Sequence, residues 1–232
     1  MEQLDQIASI LALTMGVAWA SGINLYAAIL VLGMMGTTGH MDLPPGLEIL
    51  SDPLVLFAAG AMYFIEFFAD KIPGVDTGWD IMHTFVRIPA GAMMAAGAVG
   101  EVDPVMSLAA GILGGGLAAT SHAAKAGTRA VINTSPEPFT NWTASVTEDV
   151  AVVAGLWTAL NHPVLFIVLV VLFVALVIWL LPKIWRGVKK VFGKLRSLFG
   201  GKEAADQAPV VPPPVEAPIQ QQAKDPPDKP IA

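Results

Sequence analysis

The chain has 232 residues, of which 54% are apolar and 14% charged, and its formal net charge is −6. That balance lies outside the ordinary soluble range and reads as an all-α, polytopic helical membrane protein, with membrane lipid rather than nucleic acid as its surroundings. There is no cysteine, which excludes disulfides, thiolate metal sites and cysteine nucleophiles.

About six apolar segments follow one another, near residues 6–36, 53–70, 85–100, 104–124, 145–160 and 164–181. The opening MEQLDQ has no basic residue and so lacks the n-region of a cleaved signal peptide. As a single helix at ~1.5 Å per residue, 6–36 would reach about 46 Å, too long for a ~30 Å hydrocarbon core. Ser21-Gly22 and Asn24 near its middle predict a break. One broken span with a cytoplasmic N-terminus is the favoured reading, and a re-entrant segment is the alternative.

Polar stripes mark the ends of the next helices. Tyr63, Glu66 and Asp70 stand at i, i+3 and i+7 on the second segment. Asp76, Asp80, His83 and Arg87 repeat the pattern at the entry to the third, where Pro89 predicts a kink and a freed carbonyl. His122, Lys125, Arg129 and Asn133 repeat it at the end of the fourth. The third and fourth segments are rich in Gly and Ala, with Gly111 and Gly115 at GxxxG spacing, so close helix packing and a homo-oligomer through these faces are expected. Ser135-Pro136-Glu137 has an N-cap signature, SVTE at 145–148 has capping-box spacing and would start the fifth helix, and residues 77–80 could cap the third. Trp79 and Trp142 suit the membrane–water interface, so two polar hairpin loops dipping into it are predicted. Segment 164–181 has no charge and one small residue, Ala175, as a lipid-facing outer helix would.

Three regions result: a transmembrane domain over 1–182, a basic juxtamembrane amphipathic helix over 183–200, and a disordered Pro-rich tail over 201–232 that could engage a partner. Up to Leu181 the basic residues are only Lys71, Arg87, Lys125 and Arg129, all inside two polar blocks at 66–87 and 122–149. With the basic C-terminal segment cytoplasmic, the opposite loops contain no Lys or Arg, and both blocks open on the cytoplasmic side. Helix arithmetic puts Glu66, Arg87 and Glu148, with Asp149 beside it, at a common depth about 18–20 Å from the outer helix ends. Ionisable groups at that depth are costly, which makes these four a candidate intramembrane charge site, while an ion-pair lock between helices fits equally. His122, Lys125, Arg129 and Asn133 are candidates for binding a solute or phosphate. Asp70, Asp76, Asp80 and His83 could offer ligands to a divalent cation, although no metal motif is matched. GILGGG lacks the Lys-Ser/Thr of a phosphate loop, and no nucleophile elbow is present.

SGINLYAAILVLG, EFFADKIPGVDTGWDIMHTFVRIPAGA and SHAAKAGTRAVINTSPEPFTNWTASVTEDV resemble the hallmark segments of a bacterial membrane family, domain-of-unknown-function family 4126. The resemblance covers about residues 8–160 and implies a multi-pass protein of the bacterial cytoplasmic membrane, but it carries over no catalytic residue. Three functions follow, in order: a small transporter or channel for an anionic or phosphorylated solute; a membrane enzyme acting on phosphorylated lipid headgroups with a divalent metal; and a non-catalytic scaffold. The balance leans away from an enzyme.

Overall fold

The computed structural model describes residues 2–199 apart from 73, 101, 102 and 134–137; for residues 138, 188 and 190–199 the backbone alone is described. Among these residues every regular element is helical: α1 (Glu2–Thr37), a 3-10 helix (Pro45–Ser51), α2 (Pro53–Ala69), α3 (Val75–Ala98), α4 (Pro104–Ile132), α5 (Pro138–Asn161) and α6 (Pro163–Phe199). Proline opens α2, α4, α5 and α6, where its fixed φ suits the first turn and its missing N–H costs nothing. Asp52 and Asp103 cap two of these starts, accepting from the Leu54 and Val105 amides at 2.8 and 2.7 Å. The described residues up to Val191 form one compact unit. The tail at 201–232 lies outside the described residues.

α1 is the centre of that unit, with α2, α3, α4, α5 and the 3-10 helix all packed on it. The break expected near Ser21-Gly22 falls at Asn24, whose φ of −145° and ψ of 97° are extended rather than helical. Its side-chain oxygen accepts from the Ala27 amide at 3.0 Å, so Asn24 caps the second half of the helix it interrupts. Among the described residues three helices are long and apolar enough to cross a membrane: α1, α4 and the Pro163–Gly187 part of α6. A fourth span arises if the 3-10 helix and α2, bent by 67°, count as one. The expected six spans are therefore met only in part: α2 alone has 17 residues, whereas α3 and α5, with 24 each, are long enough but more polar.

The two polar blocks are not hairpin loops. α3 begins at Val75, α4 continues to Ile132 and α5 begins at Pro138, so most of both blocks lies within long helices. Ser145 is consequently mid-helix and cannot start α5: it is buried, with its hydroxyl 3.5 Å from the Lys71 ammonium. A tertiary partner has claimed the side chain that local spacing assigned to a cap. At the start of α3 it is Asp76, not the 77–80 segment, that takes the free amides, those of Gly74 and Thr77. Residues 135–137 lie outside the described set. α3 runs through Pro89 as continuous helix.

Small residues let α1, α3 and α4 approach backbone to backbone. A Cβ on Gly22 would overlap the Ala118 carbonyl and the Ser121 hydroxyl, one on Gly91 would sit 2.6 Å from the Ala118 Cβ, and one on Gly114 would overlap Ala95. Much of the Gly/Ala surface expected between two copies is thus consumed within one chain. α6 packs through Phe166 and Val170 against Ala12, Ala159 and Trp19, while Leu165, Leu172, Leu176 and Ile178 remain exposed, as the lipid-facing reading requires.

Candidate functional site

At one end of the bundle, α2, α3, α4 and α5 turn charged side chains inward. Glu66 and Asp70 come from the last turn of α2 and its cap, Asp80 and Arg87 from α3, Lys125 and Arg129 from α4, and Glu148 from α5. Helical spacing of three, four and seven residues sets each group on the inner face of its own helix. Six are buried, Arg87 and Glu66 with no exposed surface at all, and Glu148 is partly buried, with 15% of its side chain exposed.

These seven side chains form one contiguous network. Arg87 pairs with Glu66 through Nη2 and with Asp80 through Nη1, the latter at 3.1 Å. Arg129 grips Glu148 with two bonds, Nε to Oε1 at 3.1 Å and Nη2 to Oε2 at 2.9 Å. It also donates to the Asp70 carbonyl at 3.0 Å and reaches the Asp70 carboxylate at 3.4 Å. Lys125 is the hub. Its ammonium lies 3.1 Å from Asp70, 3.3 Å from both Glu66 and Glu148, and 3.6 Å from Asp80. Desolvating so many charges is offset only by pairing of this density, and removal of one partner leaves its counter-ions stranded.

Hydrogen-bonded neutral groups surround the network. Arg87 Nη1 stands 3.4 Å from His122 Nδ1, and His122 Nε2 meets the Thr84 hydroxyl at 2.7 Å. Thr84 itself donates to the Asp80 carbonyl at 3.0 Å, so Nε2 carries the imidazole proton and Nδ1 accepts from the guanidinium. His83 holds the Trp79 carbonyl through Nδ1 at 2.9 Å and the Tyr26 hydroxyl through Nε2 at 3.1 Å, with the Trp79 ring stacked on it. Asp149 is set apart: it takes the Asn24 amide and the Tyr63 hydroxyl, both at 2.9 Å, tying the α1 break to α2 and α5. Lys71, in the turn after α2, lies over the Phe67 ring; burial lowers its pKa, against the pull of Asp149 and Asp70.

The residues singled out from sequence are therefore regrouped. Glu66, Arg87 and Glu148 do meet, joined through Lys125. The proposed metal set does not assemble: Asp70 and Asp80 are bound to cations, Asp76 accepts from Asn133 at 2.8 Å, and His83 faces Tyr26. Among the described residues no group of three or more His, Asp or Glu could hold a metal ion. The proposed phosphate set is likewise divided, since Lys125 and Arg129 are occupied by carboxylates and Asn133 by Asp76 and Asn141. Tyr26, Thr84 and Asn141 escaped the sequence reading, and Ser145 was read only as a cap. One signal was available for Tyr26: the chain has only two tyrosines, and both bond to ionisable groups here.

A groove of about 520 Å³ runs along the seam between α4 and α5 and reaches the network at Lys125 and Glu148. Thr128, Thr143 and Thr147 line it; each donates its hydroxyl proton to the carbonyl four residues back, which leaves oxygen lone pairs for an occupant. A family model described as Domain of unknown function (DUF4126) matches residues 11–183. The chain belongs to that family. The matched span contains the whole network, the α1 break and the groove. No curated protein and no solved structure matches the chain.

Proposed function

We propose that this member of the family is a small transporter or channel of the bacterial cytoplasmic membrane, with the C-terminus and the charged end of the bundle cytoplasmic. The observation that carries the reading is the groove between α4 and α5, which leads to a buried ionic network spanning four helices. A lock built only for stability would be served by isolated pairs, whereas a shared ammonium with four carboxylates can re-pair at small cost when one helix moves. The interrupted centre of α1 beside the network supports the same reading, since broken helices are tolerated in membranes where they line a path.

The solute class differs from the one charge alone favours. An anionic or phosphorylated solute would need a free cation, and Arg87, Lys125 and Arg129 are each engaged by carboxylates. A small amphipathic solute, with an apolar body against Ile132, Phe139 and Phe173 and a polar group that displaces Glu148 from Lys125, suits the groove better. Flux in proteoliposomes, assayed across a panel of small amphipathic solutes, is the test: it should be lost with Glu66→Gln and with Arg87→Gln while both variants insert and fold. Orientation is tested by single cysteines, those at Thr77 and Thr140 reacting from the cytoplasm and those at Thr38 and Asn161 from outside. Labelling of Thr77 from outside would reverse the assignment.

A further inference from the structure

The network does not balance. Glu66, Asp70, Asp80 and Glu148 supply four carboxylates, against three cations, Arg87, Lys125 and Arg129. His122 does not make up the difference, because its Nδ1 accepts from Arg87 and a second ring proton would point at a guanidinium. Lys71 and Asp149 lie outside the network with opposite charges, and Asp76 is taken by Asn133 and the start of α3. α1 contributes only neutral groups here, Ser21, Asn24 and Tyr26. One negative charge is left over.

The coordination of Lys125 gives the same count. An ammonium has three hydrogens, and this one has four carboxylate neighbours within 3.6 Å. Consistent with a surplus, three carboxylate oxygens, Glu66 Oε2, Asp70 Oδ1 and Asp80 Oδ2, are buried without any hydrogen-bond partner. An unpaired ionised carboxylate in such a place is far costlier than a protonated one, and carboxylates crowded around one site do not all ionise. A metal ion is a poorer answer, because the Lys125 ammonium already occupies the point where the four carboxylates converge.

We propose that the Glu66–Asp70–Asp80–Glu148 cluster binds one exchangeable proton at neutral pH, and that this proton is the ion coupled to solute movement; the coupling part rests on the transporter reading above. Asp80 is the least paired of the four. Asp80 has one cation at hydrogen-bonding distance, Arg87 at 3.1 Å, whereas Glu66 and Asp70 each have two and Glu148 is held by Lys125 and by two bonds from Arg129. Glu148 is the acid that opens on the groove, so a solute that draws Glu148 away from Lys125 frees the ammonium for Asp80, and the proton leaves. The exchange balances: one carboxyl O–H is broken, the proton passes to water, and Asp80 takes up the N–H that Glu148 relinquished.

Infrared spectroscopy of the full chain in lipid nanodiscs at pH 7 tests the stored proton. The native protein should show the C=O stretch of one protonated carboxyl group that shifts in heavy water, and Asp80→Asn should abolish it. Glu148→Gln should abolish it too, because either amide brings the count to three against three; thermal unfolding of the same samples verifies that the variants are folded. Absence of the band in the native protein, its persistence in both folded variants, or its loss on replacing potassium by sodium at constant pH would each overturn the proposal. Proteoliposome flux separates the two readings. Flux without the band leaves a transporter with no stored proton, and the band without flux leaves a proton site in a protein that does not transport.

Discussion

The two ends of the bundle are held together by opposite means. At the end that contains the 3-10 helix, contact is made by atoms that are missing: Gly46 lies against Gly97, and Gly33 against the Leu50 carbonyl, with Leu32, Leu47 and Met94 filling the space between. At the other end, contact is made by side chains of maximal length and charge, Arg87, Lys125 and Arg129 reaching across to the acids. The first arrangement has one solution, because close-packed backbone cannot slide without overlap. The second has several of similar energy, because an ammonium can exchange one carboxylate for another. A rigid end and a re-pairable end in one bundle are what a gated path requires.

The largest expected effect comes from stranding charges at the ionic end. Arg87→Met leaves Glu66 and Asp80 facing each other without their guanidinium and should cost about 3–5 kcal/mol, seen as a large fall in the thermal unfolding temperature in detergent. The double variant Arg87→Met with Glu66→Gln should recover much of that loss, since both halves of the pair are removed together. An Arg87→Met protein of native stability would show that the network is not what holds the four helices. Next is the glycine end: Gly97→Ala places a methyl 2.6 Å from the Gly46 carbonyl oxygen and should cost about 1–3 kcal/mol through overpacking, with little effect on groove accessibility measured by cysteine labelling at Thr143.

Smaller effects sharpen the same contrast. Tyr63→Phe deletes the donor to Asp149 Oδ2 and should cost about 1–3 kcal/mol, the usual range for a buried acceptor left unmet. Gly116→Ala meets nothing within 4 Å and should be neutral, or stabilising by about 0.5–1 kcal/mol, because a helical alanine sacrifices less backbone freedom than glycine. The two alanine substitutions differ only in what surrounds the new methyl, so equal effects would show that close backbone contact is not the basis of the glycine end.

Much of this was legible along the chain because it is periodic. Stripes at i, i+3, i+4 and i+7 gave the inner faces of α2, α3 and α4 directly, and Glu66, Asp80, Arg87, Lys125 and Arg129 all lie on them. The break at Asn24 was legible because Ser21, Gly22 and Asn24 within four residues weaken a helix. Local signals misled where a tertiary partner outbid them: SVTE at 145–148 has a cap's spacing, yet Ser145 spends its hydroxyl on Lys71 inside α5. The polar blocks looked like loops because polarity ordinarily marks solvent, whereas here Glu66, Arg87, Lys125 and Arg129 each have a buried partner on another helix.

By itself the sequence determined the all-helical character, the central break, the outer position of α6 and the clustering of every basic residue before Leu181 into two blocks. These follow from hydropathy, periodicity and charge, which act through neighbours in the chain. Only the tertiary structure decided which acid meets which base. Asp70 and Asp76 are six residues apart, yet one joins the Lys125 hub and the other binds Asn133. That choice depends on helix rotation and on how closely the glycines let α1, α3 and α4 approach, distances set by packing across the bundle and written in no local pattern.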